Sequence, residues 1–198
     1  ILMKKISYFF IGCVFNGIVL SQEVFPSNTS IKTCIQKEIC YANQNSTNLF
    51  YNEGNNEFYL VIDFKKFKIG VDSLDAWLDD LDDSQFIFNG QLSSEKLPAL
   101  SNNGYKTMHI IGTAKFNSVS HAHAVDVTFF SIPQEGILYR NTGNDYYDKV
   151  RVNLEISFRP KEFKLDKKPH HLKKTISINI GSGYINQLKP GMEKFIQN

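Results

Sequence analysis

The chain predicts an all-β fold, an antiparallel up-and-down β-barrel of about eight strands with one short amphipathic helix. Three observations predict it. From Lys149 the chain alternates: Val150, Val152, Leu154, Ile156 and Phe158 are apolar, while Lys149, Arg151, Asn153, Glu155, Ser157 and Arg159 are polar. A strand turns successive side chains to opposite faces, so such a segment has one dry face and one wet face. The same period returns after a basic turn in Ile176, Ile178 and Ile180, and again in several earlier segments. Helical spacing, in contrast, is convincing in a single place. A meander of this size with one apolar face most simply closes on itself.

Gln22 to Ser30 reads as a loose lead-in, and Asn43 to Asn48 (NQNSTN) as a polar turn or loop. Asn45-Ser46-Thr47 fits the N-glycosylation pattern, a short match that matters only in a eukaryotic secretory pathway. Asn52 to Glu57 is a turn between two strands, Asn48–Tyr51 and Glu57–Phe67. In the second of these, Phe58, Leu60, Ile62 and Phe64 share a face. The helix follows. Leu74, Trp77, Leu78 and Leu81 fall on one side, with Asp72 or Ser73 as its cap and Asp75, Asp79, Asp80 and Asp82 opposite. Acids late in a helix oppose its macrodipole, so packing must hold it, and it is placed to close an end of the fold. Strands resume at Gln85–Leu92, with Phe86, Phe88 and Leu92 around Gly90. Lys106–Asn117 comes next, with Met108, Ile110, Gly112, Ala114 and Phe116 on one face. SVSHAH reads as a short connection to Val125–Ile132, where Val125, Val127 and Phe129 alternate with Asp126 and Thr128. Pro133 to Asp148 is mostly loop.

The N-terminal stretch has export chemistry. Met3 reads as the start. Lys4 and Lys5 form a positive region, Ile6 to Leu20 an apolar one, and Val19 and Ser21 suit cleavage before Gln22. Residues 1–21 are thus expected to be a signal peptide and 22–198 one barrel domain, periplasmic or secreted. Lipidation at Cys13 is the competing reading of the same leader. The apolar run is short for a spanning helix and is interrupted by Asn16. Of 22 basic residues, loss of Lys4 and Lys5 leaves 20 against 20 acidic ones. A near-neutral chain has no global basic field, which excludes nucleic acid as its partner. Cys34 and Cys40 remain, and in an oxidising compartment they are candidates for a disulfide across a tight hairpin.

Chemical motifs are sparse. The Asp cluster lacks the Asp-x-Asp-x-Asp-Gly loop of a calcium site and reads as a solvated helix face. His121 and His123 would share a face on an extended segment, with His109 nearby. No acidic or thiolate ligand is spaced to join them, so no metal is expected. Lys164 to Lys174 carries five lysines (164, 167, 168, 173, 174). It reads as a solvated loop, with peripheral contact to anionic headgroups as the sharper alternative. There is no Gly-x-Ser-x-Gly elbow, phosphate loop or His-Glu-x-x-His, so neither catalysis nor a cofactor is expected. No motif sets an oligomeric state.

Three local segments carry a family resemblance. Leu81-Asp82-Asp83-Ser84-Gln85-Phe86-Ile87-Phe88 takes an Asp-rich helix end into a Phe-bearing strand. Lys106 to Phe129 is a central hairpin with mid-strand Gly112. Phe158-Arg159-Pro160-Lys161-Glu162-Phe163 is an Arg-x-x-Phe strand end ahead of a last strand at Thr175–Ile180. In order and pattern, roughly from Glu57 to Asn186, the chain resembles the YceI-like family of exported, lipocalin-like β-barrels. Asn117-Ser118-Val119 departs from the family's usual Gly at the hairpin turn.

The resemblance implies a non-enzymatic protein that holds a long isoprenoid or other amphiphilic lipid inside the barrel. The inward residues expected to line it are Phe58, Leu60, Trp77, Phe86, Phe88, Met108, Ile110, Phe116, Val127, Phe129, Val152, Leu154 and Ile156. Gly90, Gly112 and Ala114 would remove volume and leave room for such a ligand. The residues themselves leave a second reading open. In it the many phenylalanines simply fill the barrel, and the protein is a structural or protein-interaction module of the cell envelope.

Overall fold

The computed structural model describes residues 24, 26–34, 41–67, 72–92, 104–131, 146–165, 172–188 and 196, with backbone alone at 31–34, 41–45, 74, 146–149 and 172–174. Eight strands follow one another: β1 (Ser27–Cys34), β2 (Tyr41–Asn52), β3 (Glu57–Asp63), β4 (Gln85–Gln91), β5 (Tyr105–Phe116), β6 (Val119–Ser131), β7 (Tyr146–Phe158) and β8 (Leu172–Gln187). Each pairs antiparallel with the next, and β8 returns to β1, closing the barrel. The helix α1 (Asp72–Asp79) sits between β3 and β4. Among the described residues no helix is long and apolar enough to cross a membrane.

Closure is completed at β8. Its first half pairs with β1 through Ile31↔Ile178 and Thr29↔Ile180. Beyond the start of β1 it runs parallel to β2, with Leu49↔Ile185 and Phe50↔Asn186. A bulge lets one strand serve both neighbours. Val152 faces Gly183 but Leu154 faces Ile180, so β8 carries an extra residue. Ser182 has φ 54, and its N–H donates to Asn153 Oδ1 at 2.8 Å. An extra residue re-aims the strand while the inward faces on either side stay inward.

The structure corrects several boundaries. β1 begins inside the expected lead-in, and β2 runs through the expected NQNSTN turn. Polar residues are tolerated there because they bond one another. Thr29 and Thr47 are buried and share a 2.6 Å hydroxyl bond, and Ser27 Oγ accepts from Tyr184 N at 3.0 Å. β3 stops at Asp63, and Phe64–Lys66 form a 3-10 turn where a strand to Phe67 was expected. Asp63 Oδ1 ends the strand by accepting from Lys65 N at 3.1 Å. From Val119 on, SVSHAH is strand, and the turn is Asn117–Ser118 alone. Both turn residues have positive φ (49 and 58), the type I′ geometry whose twist matches a hairpin. Cys34 lies at the end of β1 in register with Leu172, and Cys40 falls outside the described residues, as do 1–23 and most of the lysine-rich turn.

Gly90 and Gly112 were expected to hollow the barrel, and the structure assigns them another role. A Cβ on Gly112 would lie 2.0 Å from the Asn89 carbonyl oxygen, and one on Gly90 would lie 2.5 Å from Ile110 Cγ2. The two glycines face each other across β4 and β5, so the strands close in and their space is already occupied. Gly112→Ala should therefore destabilise the barrel by about 1–3 kcal/mol, since backbone must move to admit the methyl. Urea denaturation measures this; a change below about 0.5 kcal/mol, the size of an ordinary surface substitution, would contradict it.

Candidate functional site

The register places the expected lining residues on one surface. Leu60 pairs with Phe88 and Phe58 with Gly90. Met108 pairs with Val127 and Ile110 with Val125. Val127 pairs with Leu154, Phe129 with Val152, and Ile156 with Ile178. Side chains directly opposite across antiparallel strands lie on the same face, so each pairing carries the inward assignment to the next strand. Phe58, Leu60, Phe86, Phe88, Met108, Ile110, Phe116, Val127, Phe129, Val152, Leu154 and Ile156 are all buried in a single cluster. Trp77 is the exception. It is half-buried and packs against that cluster from α1, with Leu78 and Leu81 buried beside it.

The two ends of the interior differ. At the α1 end the rings of Phe64, Phe86, Phe116, Phe158 and Phe163 pack together. Phe64–Phe116 and Phe86–Phe158 are stacked at 5.0 Å, and Phe163 meets Phe158 edge-on at 5.5 Å. Phe163 comes from the 3-10 turn Pro160–Phe163, held by Asn117 Nδ2 donating to its carbonyl at 3.1 Å. At the opposite end the described lining is sparser in rings. Phe58 and Phe129 meet edge-on at 6.4 Å beside Met108 and Val152. Tyr51 Oη bonds Asn56 Oδ1 at 2.5 Å, and Asn56 Nδ2 donates to Leu92 O at 3.0 Å, tying the β2–β3 turn across the rim. Lys106 stands in the inward register at this mouth, opposite Phe129.

Two features escaped sequence reasoning. Arg151 was assigned to the wet face, yet it is 2% exposed. Its guanidinium lies 4.0 Å from the centroid of Tyr184, and Nη1 donates to Val150 O at 3.2 Å. A planar, weakly hydrated cation stacked on a ring tolerates such a place. A second apolar cluster covers part of the outside: Phe50, Val61, Ile87, Leu188 and Ile196. The signal was present in Leu60-Val61-Ile62 and Phe86-Ile87-Phe88, where apolar residues fill both faces. A cavity of about 330 Å³ borders this cluster, lined by Tyr59, Ile87, Asn89, Thr113, Lys115, Ser120, Leu188 and Ile196. Another, of about 310 Å³, lies beside α1 between Trp77, Asp82, Asn117 and Lys164.

His109 and His121 engage separate partners. His109 Nδ1 lies 2.8 Å from Asp126 Oδ1 on the outer face. His121 Nε2 meets the Glu162 carbonyl at 2.5 Å, with its ring edge-on to Phe163. Among the described residues no three His, Cys, Asp or Glu side chains group to hold a metal.

Several solved structures are similar to the chain. A polyisoprenoid binding domain from Saccharophagus degradans, implicated in plant cell wall breakdown, superposes with a TM-score of 0.58 at 9% identity. The match covers 82% of this chain and 95% of that one. BcnA from Burkholderia cenocepacia gives 0.49 at 12% identity, covering 78% and 93%. The YceI protein of Campylobacter jejuni gives 0.47 at 14%, covering 78% and 89%. No family model matches the chain, and no curated protein does.

The ring-packed end makes a quantitative claim. Phe86→Ala removes a ring in contact with Phe116, Phe158 and Phe163 and should cost about 3–5 kcal/mol. Trp77→Ala, at a half-buried site, should cost clearly less. Paired denaturation curves check the order, and equal losses would contradict the packing described. The chain is an antiparallel eight-stranded barrel of the fold seen in the S. degradans domain.

Proposed function

We propose that the barrel binds an amphiphilic lipid or isoprenoid-type molecule, with its apolar chain among the inward residues. The observation that carries this is the continuous apolar lining, built from every strand for which inward side chains are described except β1. Fold likeness to a polyisoprenoid binding domain supports it. The difference between the two ends gives the ligand a direction. Five packed rings occupy the α1 end, so the chain enters from the opposite mouth, past Phe58, Met108, Phe129 and Val152. There about ten buried methylenes would offer roughly 8 kcal/mol before ordering costs. The proposal includes export, resting on the basic and apolar leader before Gln22, and a non-enzymatic role, since the described lining is apolar.

A second reading is favoured by one specific observation. The glycines open no space, and the α1 end is filled by the protein's own rings. On this reading the barrel is a filled module that acts through its surface.

Extraction of the protein purified from its native envelope, followed by mass spectrometry of the organic phase, separates the two. A stoichiometric prenyl or acyl lipid is expected, reduced at least tenfold in Val127→Trp, which adds an indole to the mouth half. Repeated absence of lipid from a folded preparation would sink the binding reading.

A further inference from the structure

The groove on the outside of the barrel holds chemistry that the interior does not use. Its floor is set by register. On the outward face Ile87 lies opposite Lys115, and Asn89 lies opposite Thr113. Ser120 on β6 extends the first row, and Tyr59 on β3 extends the second. The wall comes from beyond β8. Leu188 is anchored beside β2 by its N–H, which donates to Tyr51 O at 2.9 Å, and Ile196 joins it in the outer apolar cluster.

The lining is of two kinds. Ile87, Leu188 and Ile196 are buried aliphatic residues. The lining residues from β5 and β6 are all polar: Thr113, Lys115 and Ser120. Lys115 is the only charged side chain among the described lining residues. The polar side is left unbonded. Elsewhere on the outer face of the same hairpin, facing side chains pair, Thr107 with Thr128 at 2.9 Å and His109 with Asp126 at 2.8 Å. At the groove this pairing lapses. Thr113 faces Ala122, which has no polar group to offer, and Lys115 faces Ser120 without bonding it. Among the described residues no side-chain hydrogen bond or ion pair engages Asn89, Thr113, Lys115 or Ser120.

We propose that this groove is a second binding site, which takes a small aliphatic monocarboxylate. Its carboxylate sits on Lys115, and its chain lies on Ile87, Leu188 and Ile196. Charge decides the class of ligand. A single unpaired ammonium among neutral donors matches one negative charge, whereas a phosphate dianion would be left half compensated. The hydroxyls of Thr113 and Ser120 and the amide of Asn89 can each donate to the same group. Size follows from the volume. At roughly 30 Å³ for each water-sized group, about 330 Å³ admits about ten heavy atoms. That suits an eight-carbon acid and is too little for the long chain proposed for the interior. The site stands whether or not the interior takes a lipid.

Octanoate is the probe. Titrated into the full chain with labelled methyl groups, it should give saturable shifts at Ile87, Leu188 and Ile196, with a Kd on the order of 1 mM or below. Lys115→Gln should weaken binding by about fivefold or more, and Lys115→Arg should retain it. Octan-1-ol, which has the chain without the charge, should bind at these methyls about fivefold more weakly or worse in the unsubstituted protein, a comparison that needs no variant. Absence of a saturable shift at these methyls overturns the proposal, as does equal binding in Lys115→Gln or equal binding of the alcohol. Shifts confined to Met108, Val127 and Val152 would place the acid inside the barrel. That result overturns this proposal and leaves the interior reading intact.

Discussion

The hydrogen-bonded return of β8 onto β1 and β2 is the constraint on which the rest of the structure depends. An open sheet of these strands would expose one whole apolar face. Closure makes that face an interior, and the fixed register decides which side chains it contains. The requirement is demanding, because β8 must pair with three strands along sixteen residues. The bulge at Gly181–Ser182 meets it by turning the strand between its two sets of partners. Asn186 secures the far end, where its buried Nδ2 donates to Leu49 O at 3.0 Å. Burying an amide this way is favourable only because it finds that carbonyl.

Given closure, the asymmetry of the interior follows from where the aromatic residues fall in the chain. Phe64, Phe86, Phe116 and Phe158 each stand at or just beyond the α1 end of a strand, and the turn after β7 brings Phe163 to meet them. The mouth is lined instead by single rings, aliphatic residues and glycines that draw β4 and β5 together. One end is thus packed with rings, and the other is not. Lys106 stands in the inward register at that other end, opposite Phe129, which under the proposed function is the end where the polar group of an amphiphile would lie.

The fold was legible wherever burial on one face dictated the residue type. β5 and β7 alternate almost perfectly, and α1 showed itself by Trp77, Leu78 and Leu81. What was hidden had other causes. β1 and the start of β2 are held by hydroxyl pairs such as Thr29–Thr47, so polar residues occupy inward positions and the period vanishes. SVSHAH is a strand made of small and polar residues because one of its edges is paired with no strand among those described and one face meets water. Arg151 and the outer cluster around Ile87 depend on tertiary neighbours, Tyr184 and Leu188, that no local window contains. Of the candidate lining, twelve residues could be read from alternation alone. Trp77 belongs to the base of the barrel and not to its wall.

The proposed function requires that the inside of the wall, and not its outer groove, meets an apolar chain. Intermolecular nuclear Overhauser effects from a short isoprenoid alcohol to the methyl groups of the protein test this most directly. Contacts are expected to Met108, Val127 and Val152, and none to Ile176 at the ring-packed end. Contacts confined to Ile87, Leu188 and Ile196, around the outer groove, would contradict it.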